Sequence, residues 1–233
     1  MKGDFFMKSD TSYRIRRLTA VAVFAALAYV IHFIHIPVGF LNLDFKDVIM
    51  AIAAMYFGPT TGIVLALLVP VLELPTSETG IYGLIMNAIS SGTFVIVASV
   101  IYKFRRKLSG AIIALSSAAL STVAMMMLAN LYITPYYMGV TQEAVVSLIP
   151  TLLLPFNAVK SVLNASLTLC LYKPVTTVLK KTGFGKRYSA EQIENAKGSN
   201  TFHSILVWII GGAVAIAALF VIFFVLGGKI SFN

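Results

Sequence analysis

Apolar positions along this chain run in long unbroken blocks, separated by short polar stretches that carry most of the charge. No segment shows the repeated alternation of about ten residues that a membrane β-barrel requires, so the blocks read as helices. Helix 1 is expected over Leu18–Ile36 and is broken by Pro37 and Gly39. Two short helices follow, Val48–Phe57 and Thr61–Leu74, separated by Gly58-Pro59. Each is shorter than the ~20 residues that cross a bilayer unaided, so each crosses with its loops folded into the protein, or the two form one re-entrant hairpin. Helices 4, 5 and 6 are expected at Ile81–Tyr102, Ala111–Ile133 and Thr151–Lys180. A polar linker follows, including Ser189–Glu194 as a short surface helix, and then a last apolar run at Phe202–Leu226.

The expected architecture is all-α and polytopic: a six-helix membrane bundle with one additional helix. Its units are an N-terminal arm (1–17), a membrane domain (18–182), a linker (183–201) and the additional span (202–228). Composition agrees, with 58% hydrophobic and 12% charged residues and a mean hydropathy of +0.88. A soluble domain carries roughly twice that charge, about 25%. The net charge of +9 lies in clusters flanking apolar runs: the arm, Lys103–Lys107 and Lys173–Lys197. Such placement fixes topology and attracts anionic lipid, and does not point to nucleic acid. With the N-terminus inside and seven crossings, 15 of 18 Lys and Arg fall on the inner side, Lys46, Lys160 and Lys229 excepted. Five of nine acidic residues, including Glu78 and Glu143, then lie outside with the C-terminus. Cys170 is alone and reads as a small buried side chain.

Helix 6 carries a polar stripe of Asn157, Lys160, Ser161, Asn164 and Thr168, all within about 100° of arc. Lys160, five residues past Pro155, sits about 7–8 Å below the outer end of the helix. It either snorkels to the surface or faces a polar cavity, and the neighbouring Asn residues favour the cavity. Asn87, Ser90 and Ser91 of helix 4, Asn130 and Tyr132 of helix 5, and Asn42, Asp44 and Glu73 of the outer loops are candidates for the same space. Phe45, Tyr82, Tyr136, Tyr137 and Phe156 offer aromatic walls. Each Asn also has the plainer reading of a hydrogen bond between helices. Asn offers donor and acceptor while Lys only donates, a combination suited to a planar heteroaromatic ligand between apolar walls.

No phosphate-binding loop of the G-x-x-x-x-G-K-[ST] type and no H-E-x-x-H motif occurs. Gly183–Arg187 resembles the former only superficially. His32, His35 and His203 lie near helix ends without metal-ligand company; His32 and His35, three apart, read either as interfacial, the favoured reading, or as meeting a ligand. The carboxylates sit in loops or at helix ends, which disfavours an ion-coupled pump. The chain is not expected to be an enzyme or to carry a resident cofactor.

The run Phe40-Leu41-Asn42-Leu43-Asp44-Phe45-Lys46-Asp47, followed by Phe57-Gly58-Pro59, resembles the riboflavin-specific S component of energy-coupling factor (ECF) vitamin transporters. Asn130-Leu-Tyr132 before Pro135-Tyr136-Tyr137, and Pro155-Phe156-Asn157-x-x-Lys160 before Leu171-Tyr172-Lys173, extend the resemblance over residues 10–182. It implies a multi-pass protein of a prokaryotic cytoplasmic membrane that captures riboflavin from outside. FMN is a further candidate ligand, and the partners are a transmembrane coupling subunit and two ATPases. By position, Leu41, Asn42, Asp44 and Phe45 would border the ligand, and Asn130, Asn157 and Lys160 would hydrogen-bond it. Glu73, Asn87 and Asn164 join the candidate site, and Ala22 and Ala26 would contact the coupling subunit. The span after residue 201 departs from the family and reads as a passive anchor or as a helix packed on the bundle or a partner. Competing readings are an S component for another ring, such as a pteridine or thiamin-like vitamin, a flavin-binding protein not used for uptake, and a non-transport membrane scaffold or enzyme subunit.

Overall fold

The computed structural model describes residues 3–77, 79–181, 201–227 and 231–232. The expected surface helix at 189–194, with Glu78, Lys229 and the side chain of His203, lies outside the described residues.

Helix α1 spans Gly3–His32, so the basic arm is helical and continuous with the first span. It ends four residues earlier than expected, because Ile34-His-Ile-Pro-Val38 pairs as strand β1 with β2, Leu41–Asp44. Pro37 cannot continue a helix, and the β-branched residues around it suit a pleated surface. The two-residue loop Gly39-Phe40 closes the hairpin, with Gly39 at φ 62° as tight hairpin turns require.

Helix α2 (Lys46–Phe57) and α3 (Pro59–Glu73) follow, then a 3-10 turn at Leu74–Thr76. Next come α4 (Gly80–Phe104), α5 (Leu108–Met138) and α6 (Gln142–Leu148). A π-helical turn, Ile149–Leu153, leads into α7 (Leu154–Lys181). Helix α8 (Thr201–Phe220) continues as a second π turn to Val225, and a short strand β3 (Ser231–Phe232) follows.

Among the described residues, six helical runs are long and apolar enough to cross a membrane: those in α1, α3, α4, α5, α6–α7 and α8. Helix α2 is not among them. Its 12 residues reach only about 18 Å at about 1.5 Å each, and nine of them are buried. It packs against α1, α3, α4 and α7, so protein and not lipid surrounds it, as a short membrane-depth segment requires. Phe24 of α1 meets Phe57 edge-on, and Arg17 donates to Thr60 and Thr61 at the start of α3. Helix α2 therefore runs back along α1 over most of its height, and α3 returns beside it.

Helix α8 docks on α7 through small residues. A methyl group placed at Gly211 would lie 2.6 Å from Cys170 Sγ, too close for any ordinary contact. Gly211→Leu is therefore expected to pry the two helices apart, at a cost of about 1–3 kcal/mol typical of overpacking. A lower thermal midpoint in detergent would register it; an unchanged midpoint would mean that the contact contributes nothing.

Candidate ligand-binding site

Strand alternation gives the β1–β2 hairpin two different faces. Register pairs His35 with Asp44 and Pro37 with Asn42 on one face, and Ile36 with Leu43 and Val38 with Leu41 on the other. His35, Asn42 and Asp44 line a cleft, while Ile36, Val38 and Leu43 are buried in an apolar cluster with Phe156 and Leu163 of α7. The cleft encloses about 1030 Å³ of empty space counted out to its open mouth. Its walls come from the hairpin, the turn after α3, and helices α4, α5 and α7.

Aromatic rings of Phe40, Tyr82, Tyr137 and Phe156 face this space, together with Met86, Met126 and Ile133. Polar groups converge on it from three helices: Asn87 and Ser90, Asn130 and Thr134, Asn157 and Lys160. Asn130 donates to the Met126 carbonyl at 2.7 Å and accepts from Thr134 at 2.9 Å. Asn157 donates to the Leu153 carbonyl at 2.8 Å, in the π turn that opens α7. Each amide nitrogen still has a second N–H to offer, and each side chain is held in place by its own helix.

Behind the wall lies a buried ionic chain. Lys160 reaches Asp44 Oδ2 at 3.5 Å, and Lys46 reaches the same oxygen at 3.6 Å. Lys46, fully buried, also donates to Glu73 Oε2 at 2.5 Å. That oxygen accepts from Asn87 at 3.0 Å, and His32 Nδ1 stands 3.7 Å from Glu73 Oε1. One layer deeper, Asp47 accepts from Ser91 and, at 3.2 Å, from Asn164. Burial alone would raise the Asp44 carboxyl, but Lys160 and Lys46 outweigh it and hold the group down at about 2. Asp44 is therefore a carboxylate at any physiological pH, and its Oδ1 is buried without a hydrogen-bond partner among the described residues.

The sequence-derived candidates separate into two shells of this structure. Leu41, Asn42, Asp44, Asn87, Asn130, Asn157 and Lys160 line the cleft. Glu73 and Asn164 stand behind it, gripping Lys46 and Asn87 in one case and Asp47 in the other. Phe45 packs against the apolar cluster on the far side of the hairpin. The whole helix-6 stripe, Asn157, Lys160, Ser161, Asn164 and Thr168, is buried, and Lys160 pairs inward instead of snorkelling. His32 and His35 belong to the lining, the less favoured of their two readings, although the helix-to-strand break falls between them. Phe40, Thr76, Ser77 and Thr79 were not singled out, and the Gly39-Phe40 turn was the available signal for the first. Ala22 and Ala26 are exposed on the outer face of α1, with Val23, Leu27 and Val30 exposed around them.

A family model described as "ECF transporter, substrate-specific component" matches residues 16–172. The chain is 28% identical over 176 residues to "Riboflavin transporter RibU" of Staphylococcus aureus (strain TCH60), covering 71% of this chain and 93% of that one. It is 25% identical over 163 residues to "Riboflavin transporter FmnP" of Bacillus subtilis (strain 168), covering 64% and 86%. A solved structure titled "Structure and mechanism of the S component of a bacterial ECF transporter" superposes with a TM-score of 0.62 at 28% identity. That superposition covers 72% of this chain and 99% of the other.

Proposed function

The chain belongs to the family of ECF transporter substrate-specific components, and from that premise we propose that it captures riboflavin at the outer face of the membrane. The observation that carries the ligand is the lining itself: aromatic rings from the hairpin, α4, α5 and α7, with Asn87, Asn130, Asn157, Lys160 and Asp44 in the same cleft. A tricyclic heteroaromatic ring stacks between such walls. Its carbonyls and ring nitrogens take the amide and ammonium hydrogens, and its polyol chain brings hydroxyl donors for Asp44 Oδ1. Two relatives named as riboflavin transporters support the same ligand. FMN is expected to bind no tighter than riboflavin, because Asp44 already pairs with Lys160, the amine that faces the cleft among the described residues.

A multi-pass subunit of this family delivers its cargo through a separate coupling and ATPase module. The exposed pair Ala22 and Ala26 is the proposed docking surface for the coupling subunit, since two small residues one turn apart let a partner helix approach closely. In the proposed orientation the N-terminus is cytoplasmic and the cleft opens outward. Lys103, Arg105, Arg106 and Lys107, all exposed, then face anionic lipid headgroups on the inner side.

Fluorescence quenching of riboflavin by the purified, ligand-stripped protein tests the reading. Tight saturable quenching is expected, and both Asn157→Ala and Lys160→Met are expected to weaken it. Losing a hydrogen bond to a charged group costs about 1.5–3 kcal/mol, or roughly 10–150-fold in affinity for Lys160→Met. Folded protein that leaves riboflavin fluorescence unchanged would overturn the assignment and move the search to other vitamins.

A further inference from the structure

The segment beyond residue 200 lies outside the family match, which ends at residue 172, yet the fold packs it behind the hairpin that forms one wall of the cleft. Ala215, Ala218 and Ile222 of α8 and its π turn are buried in the same apolar cluster as Ile36, Val38 and Leu43, the back face of the β1–β2 hairpin. The front face of those same strands carries His35, Asn42 and Asp44 into the cleft. Strand β3 then adds to the free edge of β1, pairing Ile34 with Phe232 and His35 with Ser231. The hairpin is thereby fixed on three sides: by α7 and α8 behind it, by β3 at its edge, and by the Asp44–Lys160 and Asp44–Lys46 pairs in front.

We propose that this distal segment is a positioning element of the binding site: α8 and β3 hold the hairpin in its ligand-contacting place and so slow the escape of bound ligand. The physical reason is that a two-stranded hairpin is marginal by itself and gains persistence from a third strand or a packed helix. A hairpin that forms the rim of a cleft sets the rate of exit whenever its opening precedes release. The π turn at Val221–Val225 brings Ile222 into the cluster with no exposed surface, so the contact is a fitted one and not a graze along lipid. Ile216, on the opposite side of α8, is 70% exposed and touches none of this.

This inference rests on the riboflavin reading for its functional readout but not for its structural one. Ala218→Trp would wedge α8 away from the hairpin, and shortening the chain after Gly227 would remove β3 while leaving α8 in place. Ile216→Trp adds the same bulk on the exposed side. In ligand-free protein, amide hydrogen exchange over residues 34–44 is expected to accelerate in the first two variants and to match wild type in the third. Stopped-flow displacement of riboflavin is expected to show dissociation at least about tenfold faster in Ala218→Trp, since changes within one binding site fall mostly on the off-rate. The shortened chain is expected to show a smaller increase. Exchange and dissociation in Ala218→Trp equal to those of Ile216→Trp, in protein of unchanged helicity, would overturn the proposal. Accelerated exchange in a protein that never binds riboflavin would instead sink the ligand assignment and leave the hairpin's support standing.

Discussion

Lys46→Met is expected to be the most damaging single substitution in the chain, lowering the thermal midpoint steeply and abolishing ligand binding. The amine is fully buried at the start of α2 and is shared by Glu73 at 2.5 Å and Asp44 at 3.6 Å. Methionine keeps the length and removes the charge, so Glu73 loses its nearest cation and Asp44 keeps only Lys160, at 3.5 Å. Breaking a buried pair this way typically costs about 3–5 kcal/mol, because the partner is left charged and dry. The loss also propagates to the cleft. Asp44 is part of the lining, and Glu73 is the acceptor that aims Asn87 into it. Lys46→Met with Glu73→Gln removes one stranded charge and is expected to recover part of the stability. Binding should recover less, since Asn87 keeps an acceptor but Asp44 does not regain its second cation. Thermal unfolding and flavin quenching on the three proteins separate these effects. A single variant as stable as wild type would show that the carboxylates pair adequately without Lys46.

Ala26→Trp is expected to abolish vitamin uptake in cells while leaving riboflavin binding by the isolated subunit intact. Ala26 lies one turn from Ala22 on a face of α1 that the other described elements leave uncovered, and it is not among the residues that line the cleft. An indole there blocks the close helix approach that a small-residue face permits. It removes nothing from the buried face of α1, where Phe24, Ala25 and Ala28 pack. Co-purification of the coupling subunit should fall to background together with uptake. Loss of flavin binding in Ala26→Trp would place the residue in the fold of the site instead of on a docking surface.

The bundle was legible because helices in a bilayer announce themselves by length and apolarity, and the polar stripe of α7 because five polar residues share one 3.6-residue periodicity. Asn157 and Lys160 therefore emerged together from sequence. The hairpin did not. Ile36 and Val38 alternate with His35 and Pro37, and Leu41 and Leu43 with Asn42 and Asp44, which is a strand pattern around a glycine turn. It was overshadowed by the charges of Asp44, Lys46 and Asp47, which read as a loop at the membrane surface. All three are buried, at 3%, 0% and 2% exposure, because their partners arrive from distant segments: Glu73, Ser91, Lys160 and Asn164. No local period encodes such partnerships. For the last apolar run, only the fold shows that Gly211 meets Cys170 of α7 and that Ala215 packs behind the hairpin.

The pairing of Ile34 with Phe232 joins residues 198 apart (232 − 34), and it therefore has a place in time. At about 5–20 residues per second of synthesis, the strand that completes the sheet emerges roughly 10–40 s after the strand it joins. During that interval α4, α5 and α7, the other walls of the cleft, are made in turn, while the edge of β1 that β3 will join stays unpaired. Any chaperone or insertase that meets the nascent subunit before residue 232 is made meets it without the third strand of this sheet.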